Sequence, residues 1–281
     1  MTTGTPSTPP TPPTPPTPPA SPESPTPPAS PASVRTYATD IPTPDGTVDA
    51  HVFHPADGGP HPAVLLYMDA FGVRPHLKGM AERLAAAGYV VLLPNVMYRG
   101  GRAPLVELPA FIDPGERPEI IERIRPAMRG LTPEASMRDA GVYLDWLAAS
   151  PLTNGGPVGI TGYCMGAGLA LRTAGTYPER VAAAAGFHGA YLATDAPDSP
   201  HLLADRITAE LYFGHADNDA TNPADQIDRL DKALTAAGVR HRGEVYAGAH
   251  HGFTQADTAM HSPEATERHW TALLNLLARA L

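Results

Sequence analysis

Cys164 is the only cysteine in the chain, and a glycine stands two residues to either side of it, in Val158-Gly159-Ile160-Thr161-Gly162-Tyr163-Cys164-Met165-Gly166-Ala167-Gly168. An apolar run ends at a glycine, one reactive side chain follows, and a small-residue helix start comes next. A nucleophile on a tight strand-to-helix turn has a strained backbone, so its neighbours two residues away need almost no side chain. Such a turn lifts the sulfur above a sheet and places it at a helix N-terminus, where the dipole and free N–H groups favour a thiolate. The N–H of Met165 would then face a carbonyl oxygen under attack, as half of an oxyanion hole. The competing reading of a lone cysteine is a small buried hydrophobe.

Two later loops hold the partners a nucleophile needs. Phe213-Gly214-His215-Ala216-Asp217-Asn218-Asp219 follows a strand-like run and carries two acids. Tyr246-Ala247-Gly248-Ala249-His250-His251-Gly252-Phe253 follows the last strand-like run and carries two histidines. The chain order is nucleophile, acid, base. A base takes a proton from the sulfur or from water, and an acid holds the imidazole in one tautomer and stabilises its charged form. Taken alone, Asp217 and Asp219 also fit a solvated loop with a turn cap. His250 and His251 lack the i, i+4 spacing and companion ligands of a metal site, so no metal is expected. The remaining histidines, His51, His54, His61, His76, His188, His201, His215, His241, His261 and His269, read as surface or structural residues.

The elements that must position these loops alternate. Val34 to Ile41 and Thr47 to His54 are strands around a Pro-Asp-Gly turn, and Ala63 to Met68 and Tyr89 to Leu93 are buried strands. Pro75 to Ala87 has helix character stopped by Gly88, and Thr132 caps a helix running to Ala149. Pro157 to Thr161 feeds the turn, and Met165 to Gly175 leaves it. Val181 to Phe187, Glu210 to Gly214 and Glu244 to Tyr246 are further strands, with helices at Pro223 to Ala237 and Pro263 to Leu281. The pattern predicts an α/β fold, a mostly parallel sheet covered on both faces, with reactive residues beyond the carboxyl ends of strands. Asn95 to Leu131 is a long excursion with a short helix near Glu119 to Arg125, expected to form part of the pocket wall.

Composition limits the classes of function. Residues 1–33 contain 14 of the 34 prolines, and Glu23 is their only charge. This segment is expected to be a disordered, polyproline II-like tail without a secretory signal, preceding one domain over 34–281. A net charge of −9 argues against a nucleic-acid partner. No apolar run is long enough to span a bilayer. One cysteine excludes an intramolecular disulfide and fits a reducing, cytoplasmic setting.

Residues 34–281 resemble the dienelactone hydrolase family, of α/β-hydrolase fold. Gly162-Tyr163-Cys164-Met165-Gly166 matches its elbow, Gly214-His215-Ala216-Asp217 its acid loop, and Tyr246 to Phe253 its base loop. The resemblance selects Asp217 over Asp219 and His251 over His250. It implies a Cys164–His251–Asp217 triad, with the N–H groups of Ala70 and Met165 as oxyanion donors. Asp69, Phe71, Tyr163 and Arg99 are implied in binding or activating substrate, with Arg99 receiving a substrate carboxylate. Asp69 stands where the family usually has Glu, and Gln255 where dienelactone hydrolases proper have a second Arg.

The expected function is hydrolysis of a small ester or lactone through a thioester, without a cofactor, by a monomer or small homo-oligomer. Two alternatives share the scaffold: an acyl transferase with the same triad, and a non-catalytic binding protein.

Overall fold

The computed structural model describes Met1, Thr2, Gly4 and residues 33–281. The expectation for the Pro-rich tail therefore lies almost wholly outside the described residues. Eight strands form one sheet, in the order β1-β2-β4-β3-β5-β6-β7-β8. They are β1 (Val34–Thr43), β2 (Gly46–Pro55), β3 (Ala63–Tyr67), β4 (Val90–Pro94), β5 (Val158–Tyr163), β6 (Val181–Phe187), β7 (Glu210–Ala216) and β8 (His241–Tyr246). The hairpin β1–β2 is antiparallel, and β2 runs antiparallel to β4; every other pairing is parallel. The helices are α1 (Pro75–Ala86), α2 (Arg117–Met128), α3 (Pro133–Ala149), α4 (Met165–Thr176), α5 (Ala224–Ala236) and α6 (Pro263–Ala280).

Strand β5 shows how the two faces are covered. A Cβ on Gly159 would meet Leu277 of α6 at 2.4 Å, whereas a Cβ on Gly162 would meet the Gly166 carbonyl oxygen of α4 at 2.0 Å. Side chains alternate across a strand, so α6 and α4 lie on opposite faces. At Gly162 the contact is with backbone and admits no larger residue, whereas at Gly159 the end of a leucine side chain would have to move. Strands β3, β4 and β5 are buried along their whole length, as the continuous apolar runs of β3 and β4 imply for those two.

Several boundaries differ from the sequence reading; β1 and β7 each run two residues further than expected, to Thr43 and Ala216. β5 continues past Thr161 to Tyr163, because Gly162 here permits helix contact and does not end the strand. α2 spans Arg117–Met128 and accommodates Pro126 in its last turn, beyond the expected end at Arg125. β8 begins at His241, three residues earlier than expected; it is an edge strand, half solvated, and has little apolar signal. The N-cap at Thr132 is present, its hydroxyl accepting from the Ala135 N–H at 3.2 Å.

Candidate active site

Cys164 sits between β5 and α4 with φ 55° and ψ −117°, a conformation that costs a non-glycine residue energy. Neighbouring backbone holds it there. Its N–H donates to the Phe187 carbonyl at 3.1 Å, and its own carbonyl accepts from Ala167 and Ala190. Gly162 and Gly166 admit the turn: a Cβ on Gly166 would lie 2.6 Å from the Met68 carbonyl oxygen. The sulfur is partly exposed. Among the described residues, neither the Ala70 N–H nor the Met165 N–H has a hydrogen-bond partner. Ala70 follows the end of β3, paired with β5 through Tyr67 and Gly162, and Met165 opens α4.

The base loop follows β8. His250 is exposed, while His251 is drawn inward. Nδ1 of His251 donates to Oδ2 of Asp219 at 2.6 Å and lies 3.3 Å from the Thr221 hydroxyl, which leaves Nε2 as the ring nitrogen available to Cys164. Asp219 is fixed in turn: its Oδ1 accepts from the Thr221 N–H at 2.8 Å and the Thr221 hydroxyl at 2.7 Å. Burial would raise the Asp219 carboxyl, but the bonds to His251 and Thr221 outweigh it and hold the pKa below the ordinary range. Burial also opposes a charge on His251, yet the charge of Cys164 and the bonds to Asp219 and Cys164 push its pKa up to about 10.

The expected acid, Asp217, is not the one that meets the imidazole. It leaves β7 early, and its carboxylate accepts from the Gly248 N–H at 2.9 Å, fixing the turn of the base loop. Asn218, at φ 53°, reverses the chain and directs Asp219 to His251. Motif spacing counts residues and does not register that left-handed step.

The expected substrate contacts also change. Tyr163 is 0% exposed and hydrogen-bonds His269 at 2.9 Å, on the α6 face below the sulfur, so it is a core residue. Asp69 is committed to Arg74 at 2.8 Å, to Gln255 at 2.8 Å and to the Phe71 N–H at 2.9 Å. The buried Arg74 spans Asp69 and Asp257. Arg99 is held by Asp139 and Asp45, each at 2.7 Å, and is not free to receive a carboxylate. Phe71 lies near the guanidinium groups of Arg74, at 5.4 Å, and Arg117, at 5.6 Å. Among the described residues Arg117 has no carboxylate partner and no side-chain hydrogen bond. It brings α2 over Phe71, while Ile112 bridges to Thr258 beyond the base loop, so the excursion borders the site. No pattern in the sequence marked Arg117 or His188.

A family model described as "Dienelactone hydrolase family" matches residues 48–281, most of the chain. The chain belongs to the dienelactone hydrolase family. It is therefore a carboxylic ester hydrolase of the dienelactone hydrolase type, acting on a small ester or lactone. A carboxymethylenebutenolidase of Rhodococcus opacus is 26% identical over 230 residues, covering 80% of this chain and 84% of that protein. Solved structures of this fold include a dienelactone hydrolase from Anabaena variabilis, with TM-score 0.62, 20% identity, and coverage of 88% of this chain and 99% of that one. A dienelactone hydrolase-like promiscuous phosphotriesterase from metagenomic libraries superposes with TM-score 0.71 at 22% identity, covering 89% of this chain and 99% of the other. Among the described residues of this dienelactone hydrolase family member, no helix is long and apolar enough to cross a membrane, and no group of three or more His, Cys, Asp or Glu is placed to hold a metal ion.

Proposed function

We propose that the protein cleaves its ester or lactone through a Cys164–His251–Asp219 triad and a thioester intermediate. What supports this reading is the His251 imidazole bonded through Nδ1 to Asp219 at 2.6 Å, with the charge of Cys164 among the causes that push its pKa up to about 10. At neutral pH the ring is then an imidazolium, the partner a thiolate needs. The thiolate attacks the carbonyl carbon, and the N–H groups of Ala70 and Met165 receive the oxyanion. As the tetrahedral intermediate collapses, the C–O bond breaks and His251 gives its Nε2 proton to the leaving alkoxide or enolate. The neutral ring then takes a proton from water, whose oxygen attacks the thioester. Collapse of the second tetrahedral intermediate breaks the C–S bond and restores the thiolate–imidazolium pair, and the carboxylic acid product loses its proton to solvent as it leaves. Asp219 holds Nδ1–H throughout. The test is rapid acid quench of the protein with an activated aryl ester, followed by intact mass measurement. A mass gain equal to the acyl group, located on Cys164, is expected; an acyl group found elsewhere would overturn the mechanism.

Where a substrate carries a carboxylate, the free guanidinium is that of Arg117, since Arg99 is already paired. A charge-assisted hydrogen bond contributes about 1.5–3 kcal/mol, so Arg117→Ala should raise KM for a carboxylate-bearing ester about tenfold or more. KM for its neutral methyl-ester analogue should stay within about twofold. Equal changes for both esters would rule out recognition of the anion.

A further inference from the structure

Among the buried titratable side chains that the hydrolytic steps do not use, His188 lies against the base. It follows β6 directly, is 0% exposed, and has φ 38°, a strained value that surrounding contacts must maintain. Nε2 of His188 meets the Thr254 hydroxyl at 2.8 Å, and Thr254 lies three residues beyond His251 on the base loop. Its ring centre stands 5.3 Å from that of His251 at 67°, and 5.1 Å from that of Phe253 at 81°. Both are edge-to-face arrangements, which have a preferred geometry. The same turn also supports the elbow, since Phe187 and Ala190, flanking His188, hydrogen-bond the backbone of Cys164 at 3.1 and 3.3 Å. The carboxyl end of β6 is therefore a common abutment for the nucleophile and the base.

The electrostatics fit this arrangement. Besides burial, the groups facing His188 are His251 from the base loop, His269 from α6 and Arg117 from α2, and each disfavours a charge on it. The charged groups facing His251 are Cys164 and Asp219. A neutral aromatic ring beside an imidazolium is attractive, whereas a second cation there would repel it.

We infer that His188 is a positioning residue: its neutral ring, latched to Thr254, fixes the plane of the His251 imidazole between Cys164 and Asp219. This role rests on the triad proposed above. Three variants separate its parts. His188→Gln removes the ring but keeps a group able to reach Thr254, His188→Phe keeps a ring without the bond, and Thr254→Val removes the bond alone. With an activated aryl ester, His188→Gln should lower kcat about tenfold or more, the scale on which a misplaced catalytic group loses rate. KM should stay within about twofold, and the alkaline limb of kcat should move to lower pH, because the imidazolium loses its aromatic neighbour. His188→Phe should restore that limb, and Thr254→Val should lower kcat without moving KM. If kcat and the limb are unchanged in His188→Gln and Thr254→Val, even with a lower melting temperature, His188 only fills the core and the inference falls. A rise in KM at constant kcat overturns it equally. If His188→Gln does not fold, the kcat of Thr254→Val decides. A Cys164→Ala control that still turns over the ester would discard the triad itself, a result distinct from an unaltered His188→Gln.

Discussion

Replacing Cys164 with Ala should reduce kcat/KM for an activated aryl ester or enol lactone by about 10⁴-fold or more, the scale seen when a covalent nucleophile is removed. The variant keeps a Cβ at the strained turn, and the sulfur is partly exposed, so little buried contact is lost. Its unfolding midpoint should stay close to that of the parent. Ester titration and thermal unfolding of the same preparation check both expectations. Turnover at the parental rate would remove the sulfur from the mechanism, whatever happens to stability.

Asp219→Asn and Asp217→Asn should separate sharply. Of the two acids only Asp219 meets Nδ1 of His251, at 2.6 Å against 3.3 Å for the Thr221 hydroxyl, so its amide variant should lower kcat about 10²-fold or more, as loss of the group that holds the imidazole tautomer does elsewhere. Asp217 meets only the Gly248 N–H, and its amide still offers an oxygen acceptor, so activity should remain within about threefold. The pH dependence provides a second readout. The pKa of His251 is raised in the folded protein, so the stability this charge adds is fully present below the ordinary histidine pKa and is lost as pH rises through about 10. The proton donated to the leaving group disappears over the same range. Asp219→Asn removes a carboxylate that raises the pKa, so the alkaline limb of kcat should shift to lower pH. Equal losses in the two variants would show that the contact with His251 does not distinguish them.

Much of this was legible in the residues themselves. Continuous apolar runs marked β3 and β4 because a strand covered on both faces has no polar side to conceal its pattern. The glycines around Cys164 marked the elbow because their absent side chains are a steric requirement, with carbonyl oxygens 2.0 and 2.6 Å from the missing Cβ positions. The two partner loops were visible for a related reason: each ends a strand and concentrates residues of one chemistry. Edge strand β8 was only half visible, since its residues face solvent and carry little periodicity.

The amino-acid order thus determined which side chains were available and which loops would carry them. It could not assign partners, because a charge pairs with whatever the folded chain brings within about 3 Å. Arg99 meets Asp139, forty positions away, and Asp69 meets Gln255, 186 positions away. A single left-handed residue, Asn218, exchanges one candidate acid for its neighbour. His188 comes to lie against His251 only because β6 and β8 are separated in the sheet by β7 alone. Residue type and spacing are local properties, whereas the pairing and charge state of a buried group depend on all that surrounds it after folding.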